Sequence, residues 1–146
     1  MTVGWRQDLA IGVASIDAQH RELFARIAAF EVALEHAEPI AVSETFGFLR
    51  AYAATHFADE EALMRETAYP GLEDHVAQHR EFAARLDALV RDLQESGRRA
   101  FVGLRAKNWI TVWLLDHVGV TDQALGAHLR VARGAAVAVA RAGVRR

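Results

Sequence analysis

Histidines and carboxylates stand in this sequence where a helical bundle asks for leucine. The apolar residues step by four and three, the spacing that keeps them on one face of a helix. Ile16, His20, Leu23, Ile27, Phe30 and Leu34 form one such line. Val42, Phe46, Leu49, Ala53, His56, Glu60 and Leu63 form a second, and Leu72, His75, His79, Phe82, Leu86, Leu89 and Leu93 a third. A fourth runs from about Arg98 through Ile110 and Trp113 (or Leu114) to His117, with Asp122 just beyond it. A buried polar group without a partner costs roughly 2–7 kcal/mol. His20, His56, Glu60, His75, His79 and His117 together would roughly cancel the ~5–15 kcal/mol that holds a domain folded. Something must compensate, and a metal cation does so most simply.

The turns place these residues in one layer. In an antiparallel pair of helices, residues equidistant from the turn lie at one height. His20 and the His56/Glu60 pair are centred on Pro39. The His56/Glu60 and His75/His79 pairs are centred just before Tyr69-Pro70-Gly71. The His75/His79 pair and His117 are centred on Gly97. The expected fold is all-α, an up-down-up-down antiparallel four-helix bundle with short turns. It forms a single domain over 1–146, with the bundle at about 16–122. An N-terminal extended arm, residues 1–15, packs Trp5 and Ile11 onto the bundle, and Asp17 or Ser15 caps the first helix. The C-terminal extension, 123–146, forms a short extra helix.

Composition removes several function classes. The net charge is −2, with no basic arm or face for nucleic acid. There is no cysteine, which excludes disulfide frameworks, thiolate zinc sites, iron–sulfur clusters and thiol catalysis. Met1–Ala10 lacks the pattern of a signal peptide. The apolar tract Gly134–Ala140 is too short to span a bilayer. A cytoplasmic, monomeric protein without membrane or nucleic-acid partners is expected.

Seven ligands, His20, His56, Glu60, His75, His79, His117 and Asp122, are too many for one ion, since tetrahedral zinc takes four. Imidazole mixed with carboxylate suits iron, although zinc, manganese or copper could occupy such a site. Two irons bridged by Glu60, Asp122 and an oxo or hydroxo group account for all seven. His75, His79 and His117 complete six-coordination on one iron. His20 and His56 leave the other five-coordinate, with one position open to a small exogenous ligand. Two ferrous ions can supply the two electrons that reduce dioxygen. Leu23, Phe57, Trp113, Leu114 and Val118 are candidates for the dry wall of that open position; ordinary core packing explains them equally. His36 and His128 fall off the site's layer and are expected at the surface. Asp59 and Glu61 are expected on the solvated face.

These residues resemble the hemerythrin family in its bacterial single-domain form. The landmarks are Ile16-Asp17-Ala18-Gln19-His20, His56-Phe57-Ala58-Asp59-Glu60-Glu61, Leu63-Met64, Tyr69-Pro70, His75-x-x-x-His79, Trp113-Leu114 and His117-x-x-x-x-Asp122. They cover about four-fifths of the chain, and no ligand position is missing. The resemblance implies a four-helix bundle whose non-haem di-iron centre (Fe2+/Fe3+) binds dioxygen reversibly, as an oxygen carrier, store or local supplier and not as an enzyme. It also supports the division of ligands between the irons. The competing readings are a di-iron enzyme handling peroxide or nitric oxide, and an oxygen sensor acting through a partner. Oxygenases of the ferritin-like type use Glu-x-x-His pairs and more carboxylates, and the seams here carry no such pair.

Overall fold

The computed structural model describes the backbone of residues 4–144 and the side chains through 134. A 3-10 turn at Gln7–Leu9 precedes α1 (Ala14–Glu35), α2 (Ala41–Glu66), α3 (Leu72–Ser96) and α4 (Arg99–Asp116). A π-helical turn, His117–Thr121, then leads without a break into α5 (Asp122–Val144). No strand occurs among the described residues. α1 packs on α2, α2 on α3, α3 on α4 and α4 on α1, which closes an all-α bundle of antiparallel neighbours. No helix among the described residues is long and apolar enough to cross a membrane.

The four-three lines of the sequence become the core. Ile27, Phe30, Val42, Phe46, Leu49, Phe82, Leu86, Leu89, Val102, Ala106 and Ile110 fill the end of the bundle nearest the α1–α2 and α3–α4 turns. Gly97 ends α3 at φ +66°, a left-handed conformation that glycine adopts without a Cβ penalty, and its N–H donates to the Leu93 carbonyl at 2.9 Å.

Beyond the layer of histidines a second, smaller core forms from Ile11, Val13, Ile16, Met64, Leu125 and Leu129. It joins the N-terminal arm to α5, and the arm packs as expected, with Ile11 buried and Trp5 half-buried against the main core. Asp17 does not cap α1. Val13 holds the cap position, and the buried Asp17 carboxylate instead accepts the N–H groups of Ile11 (2.8 Å) and Gly12 (3.2 Å). It thereby satisfies backbone donors that the arm's bend would leave unpaired. Gln123 Nε2 donates to the Leu9 carbonyl at 2.9 Å, and Arg133 donates to the Gly12 carbonyl at 2.7 Å. The expected short, separate C-terminal helix is therefore corrected. It is 23 residues long and continues the fourth helix, because the arm offers its first turns an apolar surface to bury.

Candidate metal centre

His20 comes from α1, His56 and Glu60 from α2, His75 and His79 from α3, His117 from the π turn, and Asp122 from the start of α5. All seven are buried, Glu60 and Asp122 completely. Residues four apart on a helix share a face, so α2 and α3 each aim two side chains at one layer with ordinary helical geometry.

His117 and Asp122 are five apart, and in an α-helix that spacing leaves them about 140° from each other around the axis. The π turn removes the difference. The Asp122 N–H donates to the His117 carbonyl, an i→i−5 bond that adds one residue to the turn and brings both side chains inward. From the sequence, Asp122 was expected just beyond the end of the fourth helix. The helix instead continues, and the extra residue is absorbed in one wide turn.

The seven side chains divide around the two oxygens of each carboxylate. Glu60 Oε1 lies 3.2 Å from His20 Nε2 and 2.9 Å from His56 Nε2, whereas Oε2 lies 3.1 Å from both His75 Nε2 and His79 Nε2. Asp122 Oδ2 lies 3.2 Å from His20 Nε2, whereas Oδ1 lies 3.0 Å from His75 Nε2 and 3.2 Å from His117 Nε2. One side thus has two imidazoles and the other three, with a carboxylate oxygen from each acid on both sides. His75, His79 and His117 with Glu60 could hold one ion, and His20 and His56 with Glu60 another.

The donor set fits metals better than it fits itself. Both oxygens of the fully buried Asp122 lack a hydrogen bond, although three ring nitrogens stand 3.0–3.2 Å away. The His79 and His117 Nε2 atoms face each other at 3.2 Å. Ligand atoms at these separations point towards shared centres rather than towards one another. Without a cation the cluster holds protons. Burial opposes charging His20 and His75, but Asp122 and Glu60 beside them outweigh it and hold both pKa values up at about 9. His117 is raised by the same balance. Burial would push Glu60 up, yet the surrounding imidazoles hold it well below the usual carboxylate range, and Asp122 is lowered likewise.

Polar residues on the seam's flanks orient the rings. His56 Nδ1–H donates to Gln19 Oε1 at 2.7 Å, and Gln19 Nε2 donates to Asp59 Oδ2 at 2.7 Å. Tyr52 donates its hydroxyl to the Gln19 carbonyl and stacks against His56, with ring centroids 5.9 Å apart. His79 Nδ1–H donates to Glu61 Oε2 at 3.2 Å. His117 Nδ1–H donates to Gln78 Oε1 at 2.8 Å, an oxygen that also accepts the Thr121 hydroxyl at 2.9 Å. An acceptor on Nδ1 fixes the tautomer whose Nε2 lone pair faces inward. The Nδ1 atoms of His20 and His75 are buried and unpartnered.

Gln19, Gln78 and Thr121 were not among the sequence candidates. Glu61 was expected on the solvated face and is corrected: it is half-buried and bound to His79. A signal existed, since Gln19, Glu61 and Gln78 each adjoin a polar seam residue and so sit on the seam's flank. His128 is a second correction. It is half-buried, donates from Nε2 to the Thr67 carbonyl at 2.9 Å and meets Tyr69 with ring centroids 5.0 Å apart. His36 is exposed, as expected.

Of the candidate wall residues, Leu23, Phe57, Leu114 and Val118 are buried in the main core and Trp113 is half-buried against it. Phe57 stacks on His79 (3.8 Å, 8°) and Trp113 on His117 (4.3 Å, 11°). Phe57 also meets His56, with ring centroids 5.8 Å apart, so the aromatic residues border both groups of imidazoles and lie closest to the three-histidine side.

A family model described as the hemerythrin HHE cation-binding domain matches residues 11–129, which include all seven cluster residues. A bacteriohemerythrin of Stenotrophomonas maltophilia is 34% identical over 82% of this chain and 76% of its own length. A myohemerythrin of Riftia pachyptila is 31% identical over 81% of this chain and 86% of its own. Hemerythrin subunit 1 of Golfingia vulgaris is 26% identical over 81% and 85%.

Proposed function

This chain belongs to the hemerythrin family of non-haem iron oxygen-binding proteins, and from that premise we propose that it binds dioxygen reversibly at a di-iron centre, as a carrier, store or local supplier. The observation that carries the reading is the division of the carboxylate oxygens. Glu60 and Asp122 each offer one oxygen to the His20/His56 side and the other to the His75/His79/His117 side. His75, His79 and His117 would then hold one iron, and His20 and His56 the other, with one position fewer filled by protein. A pair of ferrous ions held there would supply two-electron redox chemistry towards dioxygen.

The rest of the task falls to the chain's own side chains. Gln19, Glu61 and Gln78 orient imidazoles so that their Nε2 atoms stay aimed inward. Leu23, Leu114 and Val118, all buried, keep water and its protons from the centre. The two acids that flank Glu60 are both engaged, Glu61 by His79 and Asp59 by Gln19.

The test is an oxygenation cycle. Iron-loaded protein is reduced anaerobically, dioxygen is admitted and then removed, and the visible absorption is followed. We expect colour that appears and fades over several cycles, with two irons per chain. A single pass ending in stable diferric protein, with peroxide released, would replace this reading with an oxidising enzyme.

A further inference from the structure

α4 carries two apolar faces, and the bundle uses only one. Val102, Gly103, Ala106, Ile110 and Leu114 are buried. On the opposite side Phe101, Leu104, Val112 and Leu115 are 46, 53, 70 and 44% exposed, with an exposed Asn108 at their centre. These four are half of the eight large apolar side chains that the described residues leave exposed. Their steps are three, four, four and three, the seam that a helix buries against another helix. It runs about 21 Å along α4 and contains no charge.

The seam reads the same in both directions from Asn108. If a second copy of α4 lies antiparallel across it, Phe101 meets the partner's Leu115, Leu104 meets the partner's Val112, and Asn108 meets its own counterpart. An amide opposite an amide can both donate and accept, which is how a central Asn fixes helix register. Charge agrees with that register. Arg98 and Asp116 are eighteen residues apart, five full helical turns, so they share one edge of the seam. A two-fold axis through Asn108 keeps that edge on the same side in both copies. It sets Arg98 of one copy beside Asp116 of the other, about 3 Å apart in height, at both ends. A parallel two-fold pair would instead carry this edge to opposite sides of the seam in the two copies and leave Arg98 and Asp116 without these partners. The Arg98 guanidinium rests on the Phe101 ring, 4.2 Å from its centroid, and Asp116 has no ionic partner within its own chain among the described residues.

We propose that the outer face of α4 is a two-fold interface between two copies of this chain, paired antiparallel about Asn108, in place of the monomer expected from the sequence. The apolar seam holds the pair together, and the Arg98–Asp116 contacts select its orientation. The interface lies outside the metal cluster, so its test does not depend on oxygen binding.

Sedimentation of the iron-loaded full chain should give twice 16.1 kDa. The Leu104→Glu/Val112→Glu double variant should give 16.1 kDa with an unchanged helical circular dichroism signal. Because the chain has no cysteine, Asn108→Cys should cross-link to a covalent dimer under mild oxidation, whereas Ser43→Cys, exposed on α2, should not. Arg98→Asp and Asp116→Arg should each weaken the dimer about tenfold, and combining them should restore it. A wild-type chain still monomeric at about 1 mM, where even a weak pair is half assembled, overturns the proposal and leaves the face to a different protein. A dimer that survives Leu104→Glu/Val112→Glu, or that does not cross-link through Asn108→Cys, overturns it as well.

Discussion

Glu61 shows how one side chain off the seam governs a residue on it. Its carboxylate holds His79 Nδ1, while Gln19 and Gln78 hold His56 and His117 through amide oxygens. A carboxylate partner makes the ring a stronger donor to a cation than an amide does. Glu61→Ala should therefore lower metal affinity about 10–100-fold, read by competition with a chelator, while the metal-free protein melts close to the wild type. An unchanged affinity would mean that Phe57, stacked on the same ring, orients it alone. Leu114 is 1% exposed in the main core. Leu114→Ala should cost about 2–5 kcal/mol in urea unfolding, through lost burial and the cavity left behind. If the residue also keeps water from the centre, loss of oxygenated protein to the ferric state should quicken in the same variant.

The element that decides the site is the π turn. His117–Thr121 holds one residue more than an α turn. Deleting Gly119 should let α4 and α5 join as a regular helix in which His117 and Asp122, then four apart, still share one face. Iron bound per chain should stay near two and helical content near that of the wild type, whereas inserting an alanine after Gly119, which sets His117 and Asp122 six apart, should lower the bound iron. Iron lost on deletion of Gly119 would show that the wide turn itself, and not the shared face alone, positions Asp122. Another close fit on this helix is Gly126, packed directly on the arm. A Cβ there would meet Ile11 Cβ and O at 3.0 Å and Cα at 3.1 Å. Two of those three atoms are backbone, so the arm must move as a unit. Gly126→Ala should cost about 1–3 kcal/mol by overpacking, seen as a lower thermal midpoint.

Across the whole molecule, protons and metal compete for the same layer. In the metal-free chain His20 and His75 titrate at about 9, against an ordinary value near 6.5. The folded state then binds more protons than the unfolded one. The stability this contributes is fully present below about pH 6.5 and is lost as pH rises through 9. Glu60 and Asp122 are lowered, so their contribution is present above the usual carboxylate range and is lost on strong acidification. The thermal midpoint of metal-free protein should fall between pH 6.5 and 9. Iron-loaded protein, whose imidazoles hold metal instead of protons, should melt at a nearly constant temperature over that interval. Parallel slopes in the two forms would refute the competition.

Much of this was written in the sequence. The four-three apolar lines determined four antiparallel helices, because burial selects a helical face directly from spacing. The polar residues on those lines gave six members of the cluster, which three turns set in one layer, and Asp122 followed just beyond the fourth line. Tertiary structure alone decided the rest. Five-residue spacing between His117 and Asp122 reads as a helix end until packing of α5 against the arm makes continuation through a π turn the better solution. Asp17 reads as a cap until the bend of the arm presents two N–H groups to it. Glu61 reads as solvated until α3 brings His79 within 3.2 Å. In each case the deciding partner lies on another element, and no pattern along one helix contains it.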